Sequence, residues 1–423
     1  MAAPLSSRAP GDRAYVVPAP SRGSVLGDPE LTAVRDALAG TGPLSGGMHR
    51  KAFEAALAQL LGCRHAMTTT SGTVALELAI RALDLRPDDH VVVTPQTFHA
   101  TAQPLLDTGA DVTFCDVDPQ SLNMDPDALA AVISDRTRAI LLVHYGGEPA
   151  DMSRIMQLAR AHDALVIEDC AHALGADTPA GRPGSLADIG CFSFHATKNI
   201  TTLGEGGLVT TSHDDLATRI DLVRHNRSDT VHVPRTIDPE LVQLAPWLIF
   251  ADDLATEVHG VRRAGTNAVL SEPAAAAGLA QLERLDTLVA RRTHIADRLR
   301  AVVDESPGFT CQHGLPGSVS AHHLFTFFCE LGAPARLATL RALDEAGIEA
   351  QLRYIPLHLT PDWRSAGHGP GECPVAEADW FNRHLNLPCH PGLTDAQLDY
   401  LESTVRDVLE QVAHQFPVHA LST

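Results

Sequence analysis

Long apolar runs are missing: no stretch approaches the roughly 18 consecutive apolar residues that cross a bilayer, so no membrane-spanning helix is expected. The first residues, MAAPLSSRAPGDRAYVV, lack the continuous apolar centre of a signal peptide, and a cytoplasmic protein is expected. Positive charge is also scarce. Lys plus Arg number 32 against 52 Asp plus Glu, a net charge of −20. Such a surface repels phosphate backbones and anionic lipid, so neither nucleic acid nor a membrane is an expected partner, while a small anion at a local site is still allowed. The eight cysteines (Cys63, Cys115, Cys170, Cys191, Cys311, Cys329, Cys373 and Cys389) never form CxxC. Several sit in apolar runs, as buried free thiols do in a reducing compartment. The 22 histidines form neither HExxH nor HxH, and His322–His323, being adjacent, would point to opposite faces of a strand, so no metal site is expected. Internal repeats and low-complexity tracts are absent as well.

What is present is an ordinary globular composition, 44% hydrophobic and 20% charged, over 423 residues, enough for two to three domains of roughly 150 residues each. FEAALAQLLG places Phe53, Leu57, Leu60 and Leu61 on one helical face, and DMSRIMQLARAH does the same with Met152, Ile155, Met156 and Ala159. A further helix, GTVALELAIRAL, opens at a Ser-Gly-Thr turn. Between helical stretches recur the short apolar runs VVVT, DVTFCDV, RAILLVHY, ALVIEDC, GCFSFH and GGLVTT. Strands apolar on both faces and separated by helices predict an α/β protein with a mostly parallel sheet covered on both sides. The expected organisation is an N-terminal segment (1–45), a large domain (46–285) with an insertion at about 228–264, and a smaller α+β domain (286–423). The insertion is proline-bearing with no clear strand, either an insertion or a lid, and AAAAGLAQLERLDTLVARRTHIADRL reads as one long helical run linking the two domains.

Three constellations carry chemistry. Ser71-Gly72-Thr73 opens a helix, where unpaired N–H groups, a close backbone approach and hydroxyls suit a phosphate, although Ser or Thr there also reads as an ordinary cap. Asp169 ends an apolar strand, at the carboxyl edge where open α/β sheets bind ligands. There it holds a cationic ring nitrogen or is a solvated strand-end residue. Lys198, between a buried strand and a glycine-rich turn, is placed to face a cleft where a partly desolvated amine forms a Schiff base, the plain alternative being a surface lysine. Ser193 lies where it can donate to the same phosphate. In chain order these are the parts of a pyridoxal 5'-phosphate (PLP) site.

The blocks SGTVALELAIRAL, TPQTFHAT, VIEDCAHALGA, GSLADIGCFSFHATKNITTLGEGG, GLAQLERLD and RYIPLHLTP resemble the signature blocks of the DegT/StrS family of PLP-dependent sugar aminotransferases, over roughly residues 28 to 410. The resemblance implies a fold type I transferase and a homodimer with a shared active site. It also implies that Lys198 carries the cofactor, that Asp169 pairs with the ring nitrogen, and that Gly72, Thr73 and Ser193 hold the phosphate. Phe98 would stack on the ring and His172 meet its hydroxyl, while Asn267 would reach the phosphate of the partner subunit. Composition and position alone read these three as a core aromatic, a surface histidine and a helix cap. Val269 stands where family members usually carry an arginine, and the segment before it is longer than usual.

By the same resemblance, glutamate or glutamine would donate nitrogen in a ping-pong reaction to a nucleotide-linked 4-keto sugar, with a keto cyclitol as the alternative acceptor. Arg353 and Arg224 are candidates for a diphosphate or a donor carboxylate, or else strand-edge arginines in water. Relatives that dehydrate sugars replace the lysine by histidine, so Lys198 argues against a dehydratase. The intact lysine, aspartate and phosphate cup argue against a non-catalytic relative.

Overall fold

The structure is a computed structural model that describes residues 14–225 and 265–417; the segment 228–264 lies outside the described residues. The chain enters through α1 (Asp28–Ala39) and α2 (Met48–Leu61), then β1 (His65–Thr69), α3 (Gly72–Ala82), β2 (His90–Val93) and β3 (Asp111–Phe114). It continues with α4 (Pro126–Val132), β4 (Thr137–Val143), α5 (Met152–Ala161), β5 (Leu165–Asp169), β6 (Ile189–Ser193), β7 (Gly207–Thr211) and α6 (Asp214–Arg224). These strands form one seven-stranded sheet in the order β1-β7-β6-β5-β4-β2-β3. From β6 to β3 all neighbours run parallel, whereas β7 is antiparallel to both β6 and β1. The sheet is therefore mostly parallel, and its inner strands are buried along nearly their whole length because both faces are covered. Met152, Ile155, Met156 and Ala159 of α5 are all buried against one face with Ile140, Leu142 and Val166. Leu76, Ala79 and Ile80 of α3 pack on the other with Val91, Leu141 and Ile167.

The run expected as one long helix is two, α7 (Glu272–Leu282) and α8 (Leu285–Asp304). The turn at Glu283–Arg284 is fixed by the Arg284 guanidinium, which bridges Val25 O at 3.1 Å and Glu30 Oε1 at 2.7 Å. α7 stays with the large sheet, whose core also takes Trp363 and Ala376 from the later helices α10 (Pro361–Ser365) and α11 (Pro374–Asn382), and α8 leaves it for a second core around β8 (Phe309–Cys311), β9 (Phe325–Cys329), α9 (Ala333–Glu345), β10 (His384–Leu387) and α12 (Asp395–Gln415). That core holds an antiparallel sheet β10-β9-β8, and we propose the α7–α8 turn as the boundary between a large and a small domain. The N-terminal stretch joins both parts: Val17, fully buried, pairs with Ile348 beside the small sheet, and α1 lies against α7. His322–His323, expected on a strand, lies in the turn just ahead of β9, with His322 at φ 45°. All eight cysteines are buried and free, and no helix among the described residues is long and apolar enough to cross a membrane.

Candidate active site

The short polar run before Ser71 is a strand, β1, missed in the sequence because HAMTT is only half apolar. It pairs with β7 and delivers the chain to the start of α3 beside the end of β6. Ser71 is a helix cap, its Oγ accepting from Val74 N at 3.2 Å. That satisfies one of the amides a helix start leaves over, so the plain and the functional readings of the turn are compatible. Gly72 is buried, and a Cβ there would lie 2.7 Å from Ser193 Cβ, so the helix start and Ser193 form one close cradle. Overpacking of ~1–3 kcal/mol is therefore expected for Gly72→Ala, which would weaken PLP affinity about 10- to 100-fold. Titration of the coenzyme-free variant with PLP measures it, and unchanged affinity contradicts the cradle.

β5 ends at Asp169, which is 4% exposed. Thr101 Oγ1 donates to Oδ2 at 2.6 Å and Ala171 N to Oδ1 at 3.0 Å, while Thr97 Oγ1 lies 2.6 Å from Thr101 Oγ1. Burial pushes this carboxyl above its ordinary value, opposed by the Thr101 and Ala171 hydrogen bonds and by the positive charge of Lys198. Thr97 and Thr101 went unnoticed in the sequence, although both lie in TPQTFHAT. Directly behind, His144 Nε2 contacts Glu168 Oε2 at 2.9 Å, with Cys170 beside them. Glu168 accepts from the amides of Gly184, Leu186 and Ala187, and His144 Nδ1 accepts from Ala150 N. This triplet is thus occupied with shaping the loop after β5.

Lys198 follows β6 in a turn closed by its own N–H to His195 O at 2.9 Å. Its side chain is partly buried, and its amine has no hydrogen-bond partner among the described residues. Desolvation lowers its pKa to about 8, against the pull of Asp169 and with the help of Arg353 and Arg292. Composition agrees, since the chain carries nearly all its positive charge on arginine: it has two lysines, and the other, Lys51, is exposed on α2.

His172 is buried rather than at the surface. Its ring stacks on His323 at 4.1 Å between centroids, Gly146 N donates to Nδ1 at 3.3 Å, and Nε2 lies 3.3 Å from the Tyr354 hydroxyl. Burial first, then Lys198, Arg353 and Arg292, hold His172 well below its ordinary pKa. A neutral ring whose Nδ1 accepts must carry its proton on Nε2. Phe98 is no core aromatic: it is 45% exposed, with its ring 5.7 Å from that of Tyr354. Tyr354 and His323 complete this wall; Tyr354 was not singled out in the sequence, and His323 was considered there only as a metal ligand.

Thr73 and Asn267 are exposed, and Asn267 is not the cap of α7, which is Ser271. Instead it pairs with His225 in an isolated antiparallel bridge just after α6. Arg353 is half-buried; its Nε donates to Gln351 Oε1 at 2.8 Å, and its backbone is held by Asn386, His384, Gln96 and Tyr145. The structure corrects the expectation for Arg224. Only 4% exposed, it donates to Glu54 and Thr68 O at 2.8 Å and doubly to Asp221. With four N–H directions taken inside the protein, it fastens α6 to α2 and β1 and is not free for a substrate.

A close helix-start cradle that admits no Cβ, a buried carboxylate, a neutral histidine and a desolvated amine suit PLP in charge and in the groups they offer. A profile of the DegT/DnrJ/EryC1/StrS aminotransferase family matches residues 25–406. The chain is 32% identical over 390 residues to the spore coat polysaccharide biosynthesis protein SpsC of Bacillus subtilis, covering 91% of this chain and 96% of that one. It is 31% identical over 382 residues to the dTDP-4-dehydro-2,3,6-trideoxy-D-glucose 4-aminotransferase of Saccharopolyspora spinosa, covering 88% and 92%. Its fold matches that of Spr1654 from Streptococcus pneumoniae in the PMP form with a TM-score of 0.80, at 26% identity over 93% of this chain and 99% of that one. The chain belongs to the DegT/DnrJ/EryC1/StrS aminotransferase family and is a PLP-dependent aminotransferase.

Proposed function

We propose that this enzyme transfers nitrogen from L-glutamate or L-glutamine to a nucleotide-linked 4-keto sugar, as a homodimer whose active sites are shared. The observation that carries the chemistry is the pairing of the one unexposed lysine of the chain with a buried carboxylate at the end of β5. The relative that aminates C4 of a dTDP-linked sugar supports the acceptor class.

PLP, when bound, supplies an electron sink for the carbanion left as a Cα proton departs. Asp169 keeps the ring nitrogen protonated, its two oxygens fixed by Thr101 and Ala171 so that the charge is aimed rather than mobile. Gly72, Thr73 and Ser193 receive the phosphate at the start of α3, where the helix dipole favours an anion. His172 directs its Nε2 proton at the ring oxygen, the tautomer being set by Gly146 N. Phe98 covers the ring face. With the coenzyme bound, Lys198 would take the proton from the donor Cα and hand it to the coenzyme's carbonyl-derived carbon, first as base and then as acid. With a pKa of about 8, about one amine in ten is already neutral at pH 7, so it serves as both base and acid there.

Arg353 receives a donor carboxylate or a diphosphate with the guanidinium edge that Gln351 leaves open. Asn267 supports the shared site: its exposed side chain has no hydrogen-bond partner within the described residues, as suits a residue that reaches a partner's phosphate. Apolar side chains exposed on the N-terminal helices, Leu31 at 63%, Leu38 at 57% and Met48 at 74%, suit burial against a second copy.

The test is a pair of half-reactions. Glutamate or glutamine is expected to bleach the yellow holoenzyme, and a nucleotide-linked 4-keto sugar to restore it. Restoration only by keto cyclitols would overturn the acceptor assignment, and no response to any donor would overturn the transfer.

A further inference from the structure

Arg292, in the middle of α8, is fully buried and has no carboxylate partner among the described residues. Its acceptors are all backbone carbonyls. One terminal nitrogen donates to His322 O at 3.1 Å, His323 O at 3.3 Å and Cys389 O at 2.6 Å, and the other donates to Gly23 O at 2.6 Å. Nε is buried without a partner. A buried cation held only by dipoles is an unfavourable arrangement unless it serves something else.

Two of the three segments it ties together meet at the lysine turn. Gly23 N donates to Ala196 O at 2.8 Å, and a Cβ on Gly23 would fall 1.8 Å from Thr197 O and 2.5 Å from Lys198 O. The N-terminal stretch therefore lies flat across the turn that carries Lys198, with no space between them. His323 stacks on His172 and approaches Asn199, the residue after Lys198, at 3.3 Å. We propose that Arg292 is a positioning residue for Lys198: it straps Gly23 over the lysine turn, fixes the His323–His172 stack, and brings an unpaired positive charge to the turn that carries the lysine. This rests on the reading of Lys198 as the coenzyme-bearing residue.

The charged and titratable groups around the lysine nitrogen are Asp169 on β5, Arg353 ahead of Tyr354, Arg292 on α8, and the buried histidines 172 and 323. Asp169 favours its protonation, and the two arginines oppose it. The guanidinium fork matters as well as its charge, because a lysine ammonium cannot reach four carbonyls spread over three segments.

Three variants separate the two roles. Arg292→Lys retains the charge and loses the fork, Arg292→Gln loses both, and Gly23→Ala lifts the strap with Arg292 intact. Hydrogen exchange at the Gly23 amide, measured with and without coenzyme, is expected to quicken at least about tenfold in all three. The pH midpoint of the absorbance change of the lysine-bound coenzyme is expected to rise by about one unit in Arg292→Gln and to stay near the wild-type value in Arg292→Lys. Unchanged exchange in Arg292→Lys and Gly23→Ala overturns the strap, and equal midpoints in the Lys and Gln variants overturn the electrostatic role. Should Arg292→Gln fail to fold, the strap is judged on Gly23→Ala and the charge on Arg292→Met. If borohydride reduction of the wild type leaves Lys198 unmodified, the reading of the lysine fails instead, and the exchange result still stands.

Discussion

Lys198→Met loses at least about four orders of magnitude in turnover, because one substitution removes both the nucleophile and the proton carrier. The coenzyme still binds at its phosphate and ring nitrogen but can be dialysed away after borohydride treatment. In the wild type the label stays on the peptide containing Lys198, and the only other lysine, the exposed Lys51, remains unlabelled. Stability moves the other way. The amine titrates at about 8 in the fold against 10.5 ordinarily, so between those values the folded chain binds fewer protons than the unfolded one. Wild-type stability therefore rises with pH through that window, and below it the coenzyme-free protein bears the whole cost of a buried ammonium. Methionine has a similar shape and no charge. Its coenzyme-free form is expected to melt no lower than wild type at pH 6.5, with any advantage shrinking by pH 9.5. A lower melting temperature at pH 6.5, or retained turnover, would contradict the assignment.

Asp169→Asn is expected to lower turnover by about 10²- to 10⁴-fold, since an amide does not keep the ring nitrogen protonated. The substitution is mild for the fold. The Thr97–Thr101 hydroxyl pair can reverse its donor direction toward an amide nitrogen at the position of Oδ2, while Ala171 N continues to donate to oxygen. Burial raises the Asp169 pKa above its ordinary 3.8. The fold thus favours the protonated acid, and the stability this gives is present below the unfolded value and lost as pH rises through the folded one. At pH 7 the coenzyme-free aspartate is a burden that a cationic ring relieves. The coenzyme-free asparagine variant should therefore melt at or above the wild-type temperature, and PLP should stabilise it less than it does the wild type. Thermal melts with and without coenzyme decide this, and equal stabilisation of both proteins would remove the charge pairing.

Much of this was legible before any coordinates. The apolar runs of the parallel strands and the stripe of α5 follow from periodicity, which depends only on local geometry. Where reading failed, tertiary context had overridden local pattern. β1 is a strand because β7 offers it an edge. The α7–α8 run breaks where Arg284 meets Glu30 from a helix some 250 positions earlier. Arg224 looked free because nothing in its neighbourhood of the sequence announces Glu54.

The linear chain carried the coenzyme site in outline: a phosphate-receiving helix start, a strand-end aspartate and a lysine, in order, are the parts of a PLP site, and the reaction class came from the resemblance of the blocks around them. Only the folded chain decided how those groups are tuned. Burial, hydrogen-bond partners and unpaired charge depend on residues brought together from opposite ends of the sequence. Thr101 beside Asp169, Gly146 on His172, and Arg292 clasping Gly23 have no expression in any local motif.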